Sequence, residues 1–226
     1  MDDSQSFWVT ASTNGLGAAL IEQLVEQRVR VAASGRNNLQ FHAMARRHGR
    51  HLSALDGSTQ QQADRLKLEW GALDTLIINA GTCDYLPADI TESQLLQALI
   101  KTNTEAVERY LDAALPLLIE ARRPHVAVIL NLYTAAKLSD PSFPASAATS
   151  LPERLRTKRA QLKASGIDLT VITPYAPPSK HSVPKIPEHW TAQSAAAEIL
   201  ARLPDREEEI VFEALGLRTL WPLKSF

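Results

Sequence analysis

Seven short runs of β-branched and apolar residues recur along the chain, each separated from the next by a stretch with helical spacing, and this alternation restricts the fold more than any other feature. The expected strands are Phe7 to Ser12, Val29 to Ser34, His51 to Asp56, Asp74 to Asn79, His125 to Leu132, Asp168 to Pro174 and Glu209 to Glu213. Between them, Leu16, Leu20 and Leu24 with Ile21 and Val25 make one apolar stripe, and Ala63, Leu66 and Trp70 make another. Parallel neighbours need crossovers, and right-handed crossovers leave helices on both faces of the sheet. The expectation is an α/β fold: a doubly wound parallel sheet of about seven strands, in one domain over 1–226. Thr91 to Ala121 is long for one helix and is expected to break near Lys101 to Asn103, with the second part ending near Pro116 or kinking past it. In such sheets ligands lie beyond the carboxyl ends of the strands, so the residues just after each strand are the ones to read.

The first strand runs into Thr10-Ala11-Ser12-Thr13-Asn14-Gly15-Leu16-Gly17, where a helix begins. Glycines at a strand-to-helix turn let backbone approach a pyrophosphate, and the helix N-terminus attracts its charge. A glycine pair alone also fits a tight turn with no ligand. A side chain at Gly17 is expected to fill the pyrophosphate's space and leave the fold largely intact. The second strand ends Ser34-Gly35-Arg36-Asn37. An NAD-selective site places a carboxylate here to accept from the ribose hydroxyls, whereas an arginine pairs with a 2′-phosphate. Gly35 stands where the acid is expected, so Arg36, with Asn37 beside it, favours NADP(H) over NAD(H), a surface arginine being the alternative.

The turn resembles the threonine-glycine-x3-glycine-x-glycine signature of short-chain dehydrogenases/reductases, a Rossmann-like family. It departs at Ala11, where the family has glycine and where a methyl group is tolerated only at negative φ. Further matches follow in order: Leu55-Asp56 is similar to the adenine-contacting aspartate, Ile78-Asn79-Ala80-Gly81 to the asparagine-alanine-glycine signature, Thr102-Asn103 to the asparagine of the following helix, and Gly166-Ile167-Asp168 with Ile172-Thr173-Pro174 to the sixth strand. The resemblance implies a dinucleotide held by Thr10, Ser12, Thr13, Asn14, Gly15, Leu16, Gly17, Arg36, Asn37, Asp56, Asn79, Ala80, Gly81 and Pro174. It also implies a small carbonyl or alcohol substrate and a homo-oligomer, dimer or tetramer.

Family chemistry moves a hydride while a tyrosine phenol moves the proton. A lysine four residues on and an oxidised nicotinamide favour the phenolate, a serine bonds the substrate oxygen, and an asparagine positions water. Here Thr134 falls at the serine and Asn103 at the asparagine. The tyrosine and lysine positions hold Phe143 and Ala147 in one register and Pro144 and Ala148 in the other. None of these side chains carries an exchangeable proton. Tyr133 and Lys137 fit the tyrosine-x3-lysine spacing but sit at a strand end, either as a relocated pair or as a packed aromatic with a solvated lysine. Tyr175, after Pro174, either donates a proton or fills the nicotinamide pocket, and Pro177-Pro178 stiffens the segment that forms the substrate lid in relatives.

A formal net charge of -1 gives no general attraction to nucleic acid or to an anionic membrane. No apolar run approaches the ~18 residues of a membrane span. His42, His48 and His51 lack the companions of a metal site, and none is expected. Arg154, Arg156, Lys158, Arg159 and Lys163 read first as a solvated helix face and second as a subunit contact, while Pro152 signals a kink or late start of that helix. The lone Cys83 and an acidic N-terminus point to a cytoplasmic protein. Three functions follow: an NADP(H)-binding protein with a degraded proton-transfer site and weak or no reductase activity, a possible pseudoenzyme; an active oxidoreductase using Tyr133 or Tyr175; or a nucleotide-responsive interaction subunit.

Overall fold

The computed structural model describes residues 5–13, 15–36, 39–82, 84–86, 91–131, 134, 151–174 and 191–212. All seven expected strands are present: β1 (Ser6–Val9), β2 (Arg30–Ser34), β3 (Leu52–Leu55), β4 (Thr75–Ala80), β5 (His125–Leu130), β6 (Asp168–Pro174) and β7 (Glu209–Phe212). They form one parallel sheet in the order β3-β2-β1-β4-β5-β6-β7. Among the described residues six α-helices connect them: α1 (Gly15–Glu26), α2 (Leu39–His48), α3 (Thr59–Trp70), α4 (Glu92–Leu118), α5 (Leu151–Ala164) and α6 (Ala192–Arg202).

Alternation along each strand sends successive side chains to opposite faces, and both faces are buried. Phe7, Val9 and Val31 pack with Leu16, Leu20 and Leu24 of α1, Phe41 of α2 and Ile199 of α6. Trp8, Ala32 and Ile78 pack on the other face with Leu66 of α3, Val107 and Leu111 of α4, and Leu155 of α5. Both expected helical stripes therefore face the core.

The expected break near Lys101 does not occur, and α4 is continuous over 27 residues. The polar residues at and beside this point bond back into the helix instead. Thr102 Oγ1 donates to Ala98 O at 2.7 Å, Asn103 Nδ2 to Leu99 O at 2.8 Å and Thr104 Oγ1 to Ile100 O at 2.9 Å. Bonds of this kind keep such residues helical where they otherwise favour turns. Pro116 sits in the last turn, as one of the two expected outcomes had it. Pro152 lies in the first turn of α5, where its missing N–H costs no helix bond.

Candidate functional site

The order of strands reverses between β1 and β4. Chain leaving β1 enters α1 on one face and chain leaving β4 enters α4 on the other, which opens a crevice at their carboxyl ends. The turn from β1 to α1 lines it. Ala11 is buried with φ of 52°, so the condition of negative φ is not met, and this residue holds the left-handed conformation that glycine takes at no cost. Ser12, expected to serve a cofactor, turns inward: its Oγ donates to Val9 O and Ser34 O at 2.9 Å, and its N–H donates to Ser34 O at 3.1 Å. Gly15 has φ of 53° and opens α1, with no acidic residue in the first turn to oppose an anion. A Cβ at Gly17 meets Ala11 O at 2.2 Å and Asn79 Nδ2 at 3.0 Å. This glycine is required by protein packing itself, which corrects the expectation that a side chain there leaves the fold intact. Leu16 is fully buried, and Asn14 lies outside the described residues.

At the end of β2, a Cβ on Gly35 meets Thr13 Cγ2 at 2.9 Å and Ser12 N at 3.1 Å. The place expected for an NAD-selective acid is closed by the turn. Arg36 follows, half-buried, and Asp56 is exposed just past β3, while Asn37 lies outside the described residues. Beneath these strand ends runs a buried polar chain that the sequence did not announce. Trp8 Nε1 donates to Ser34 Oγ at 2.7 Å, Ser34 Oγ donates to Gln62 Oε1 at 2.7 Å, and Gln62 Nε2 donates to Gly57 O at 3.0 Å.

Asn79, next to last in β4, has its Nδ2 donating to Ala11 O at 3.3 Å and its buried Oδ1 without a partner. The carbonyls of Ala80 and Gly81 accept from Thr134 Oγ1 at 2.7 Å and from Asn131 Nδ2 at 2.6 Å, which ties β4 to the end of β5. Thr134 is thus buried with its proton directed at Ala80 O. Asn103 is buried too: Nδ2 donates to Thr82 O and Leu99 O, and Oδ1 accepts from Thr82 N–H at 3.3 Å. Pro174 is buried at the end of β6. Tyr133, Lys137, Phe143, Pro144, Ala147, Ala148 and Tyr175 lie outside the described residues.

Asp84 and Tyr85 were missed by sequence reasoning, because nothing in their spacing marks them. Thr13 Oγ1 donates to Asp84 Oδ2 at 2.8 Å, and Thr10 Oγ1 shares a proton with Tyr85 OH at 2.7 Å. The Tyr85 phenol is held well above its usual range, chiefly by burial and then by the neighbouring Tyr110, so it stays protonated.

An anion fits this turn. Helix α1 begins at it with amides that lack intrahelical partners, and two glycines keep side chains away. The orphaned Asn79 Oδ1 is an acceptor and suits a hydroxyl donor beside the anion, not the anion itself. No helix among the described residues is long and apolar enough to cross a membrane.

Comparison with known proteins agrees with this geometry. The family model "short chain dehydrogenase" matches residues 5–181. A cis-2,3-dihydrobiphenyl-2,3-diol dehydrogenase from Pseudomonas putida is 30% identical over 150 residues, 57% of this chain and 54% of that protein. The chain therefore spans about half the length of that relative. An uncharacterized oxidoreductase from Myxococcus xanthus is 26% identical over 175 residues, 74% of this chain and 69% of that one. Among solved structures, a metagenomic short-chain oxidoreductase in complex with NADP has TM-score 0.67 at 19% identity, covering 93% of this chain and 98% of its own. A short-chain dehydrogenase from Streptomyces avermitilis has TM-score 0.70 at 18% identity, covering 96% and 91%. The sheet order, the turn at the switch point and the extent of the family match together identify the chain as a member of the short-chain dehydrogenase family, whose members are oxidoreductases that bind nicotinamide dinucleotides.

Proposed function

We propose that the chain binds NADP(H) in preference to NAD(H) and has weak or no orthodox carbonyl reductase activity. The observation that carries the cofactor half is the corner formed by the β1–α1 turn and the end of β2. Gly35 has no room for a ribose-binding acid, and Arg36 stands next to it. Bound there, the cofactor supplies the hydride chemistry. The residues that hold it are Thr10, Thr13 and the Gly15–Gly17 backbone at the phosphates, Arg36 at the 2′-phosphate, Asp56 at the adenine, and Asn79 to Gly81 along the crevice floor. Ser12 drops from this set because its hydroxyl and N–H are already engaged.

The absence of a phenol and an ammonium at the family positions supports the degraded proton-transfer half: Phe143 with Ala147, or Pro144 with Ala148. The buried hydroxyl of Thr134 and the engaged side chain of Asn103 point the same way, since neither has a free polar atom to offer substrate. A second reading draws on the dihydrodiol dehydrogenases among the relatives. There the chain oxidises a secondary alcohol with Tyr133 or Tyr175 taking the proton.

Calorimetric titration of the native chain with each cofactor, repeated on Arg36→Ala, tests the first reading. NADP(H) binds more tightly, and the preference disappears in the variant. Equal affinities in the native chain overturn it. Robust turnover that collapses in Tyr133→Phe or Tyr175→Phe installs the second reading in its place.

A further inference from the structure

The two threonine hydroxyls of the phosphate-binding turn are already taken, and both partners come from one segment. Asp84 and Tyr85 lie just past β4, in a stretch fastened on both sides. Asn103 bonds both backbone groups of Thr82, and Leu86 is buried against Leu99 of α4. Asp84 N–H donates to Thr82 Oγ1 at 3.2 Å, while the Tyr85 ring packs 6.2 Å from Tyr110, which stands edge-on to Trp8 at 5.4 Å. From this mounting the carboxylate reaches Thr13 and the phenol reaches Thr10. Thr13 also abuts Gly35 through its Cγ2 methyl, so Asp84 is one side chain removed from the end of β2.

A carboxylate bonded to a hydroxyl at a helix N-terminus performs the part of an anionic ligand. Phosphates that approach the same turn meet its negative charge, at a separation where protein screens poorly. A 2′-phosphate paired with Arg36 would add charge on the far side of Thr13 from Asp84.

We propose that Asp84 and Tyr85 form a resident clasp on the phosphate-binding turn that competes with dinucleotide phosphates, and that Asp84 opposes Arg36 in setting the choice between NADP(H) and NAD(H). The clasp rests on the dinucleotide-binding reading above and adds to it a residue that lowers affinity. Dinucleotide entry releases Thr13 from Asp84 and frees its hydroxyl for a phosphate oxygen. Tyr85, neutral and packed on Tyr110, contributes a weaker tie.

The test is calorimetric titration of NADP(H) and NAD(H) into native chain, Asp84→Asn and Tyr85→Phe, with far-ultraviolet circular dichroism to establish folding. Asn keeps the shape and can still accept from Thr13, so the charge alone is removed. Asp84→Asn should bind NADP(H) roughly ten-fold more tightly and NAD(H) about two- to three-fold more tightly. Tyr85→Phe keeps the ring and should tighten both cofactors about equally, by about two-fold. If the native chain binds a dinucleotide and the folded Asp84→Asn variant binds it equally or more weakly, the clasp is overturned while the dinucleotide reading stands. Should Asp84→Asn fail to fold, unchanged or weaker binding by Tyr85→Phe overturns it instead. If native chain and both variants take neither cofactor at millimolar concentration, the dinucleotide reading fails and the clasp falls with it.

Discussion

Ala11 and Gly17 form a single packing unit, in which removing a methyl group at the first and adding one at the second act in opposite directions. Ala11 has a methyl group at φ of 52°, which costs roughly 1–2 kcal/mol relative to glycine. Ala11→Gly should therefore raise stability by about 0.5–1 kcal/mol after the extra freedom of the unfolded glycine is deducted, measured by urea unfolding. Gly17→Ala pushes a Cβ to 2.2 Å from Ala11 O and crowds the Asn79 amide that bonds the same oxygen. Overpacking of this kind costs about 1–3 kcal/mol, so the melting temperature falls and cofactor binding weakens together. A variant that keeps its native melting temperature would separate the glycine from the packing assigned to it. His125 offers a third residue-scale test at the other end of the sheet. It is buried with Nε2 against Thr170 Oγ1 at 2.8 Å, and burial first, then the Arg206 charge, lower its pKa to about 4. Because the folded value lies below the unfolded 6.5, the unfolded chain binds the extra proton between the two. Stability is complete above 6.5 and declines as pH falls toward about 4, by on the order of 3 kcal/mol. His125→Gln should lose less stability across that window. Matching pH profiles for the two proteins would remove His125 as the cause.

The link between β4 and α4 determines where the crevice ends. Asn103 reaches from near the middle of α4 to both backbone groups of Thr82, and its third bond closes its own helix turn. Asn103→Ala leaves the buried Thr82 backbone unsatisfied and should cost about 2–3 kcal/mol of unfolding free energy, with weaker holding of Asp84 and Tyr85. A loss below 0.5 kcal/mol would mean that water or backbone replaces those bonds. Strands and helices were legible in the sequence because periodicity reports burial directly: Leu16, Leu20 and Leu24 lie under the sheet as their spacing requires. The continuity of α4 was not legible. Lys101 to Asn103 read as a break, and only the carbonyl partners of Thr102, Asn103 and Thr104 one turn back show the stretch bonded within the helix. In the site, Gly15, Gly17 and Asn79 were found by signature. Ser12 and Asp84 were not placed, since facing inward or across the turn is decided by contacts distant in sequence, Ser12 with Ser34 and Thr13 with Asp84.

At the scale of the whole molecule the two ends of the sheet do different work. The amino ends are tied by structural bonds: Arg206 donates to Asp168, Pro124 O and Arg123 O, and Lys163 holds the Asp168 carboxyl below its usual range. The carboxyl ends of β1, β2 and β4 hold the glycine turn, the unpartnered Asn79 Oδ1 and the clasp. A ligand seated among those strand ends touches the central pair of the sheet, so its binding energy stabilises the fold as a unit. A cofactor present at 100 times its dissociation constant adds about 2.7 kcal/mol, which for a domain of this size raises the melting temperature by roughly 5–10 °C. On the reading proposed above, proton transfer draws on separate groups, and the lack of a phenol and an ammonium at the family positions should lower the rate by about 10²- to 10⁴-fold. The two effects should therefore separate in one protein. NADP(H) is expected to raise the melting temperature within that range, while ketones, aldehydes and secondary alcohols change its absorbance at 340 nm little or not at all. A melting shift accompanied by brisk turnover would place a working proton donor outside those positions and make Tyr133 and Tyr175 the next residues to change. Turnover without a shift would remove the link between this crevice and the cofactor.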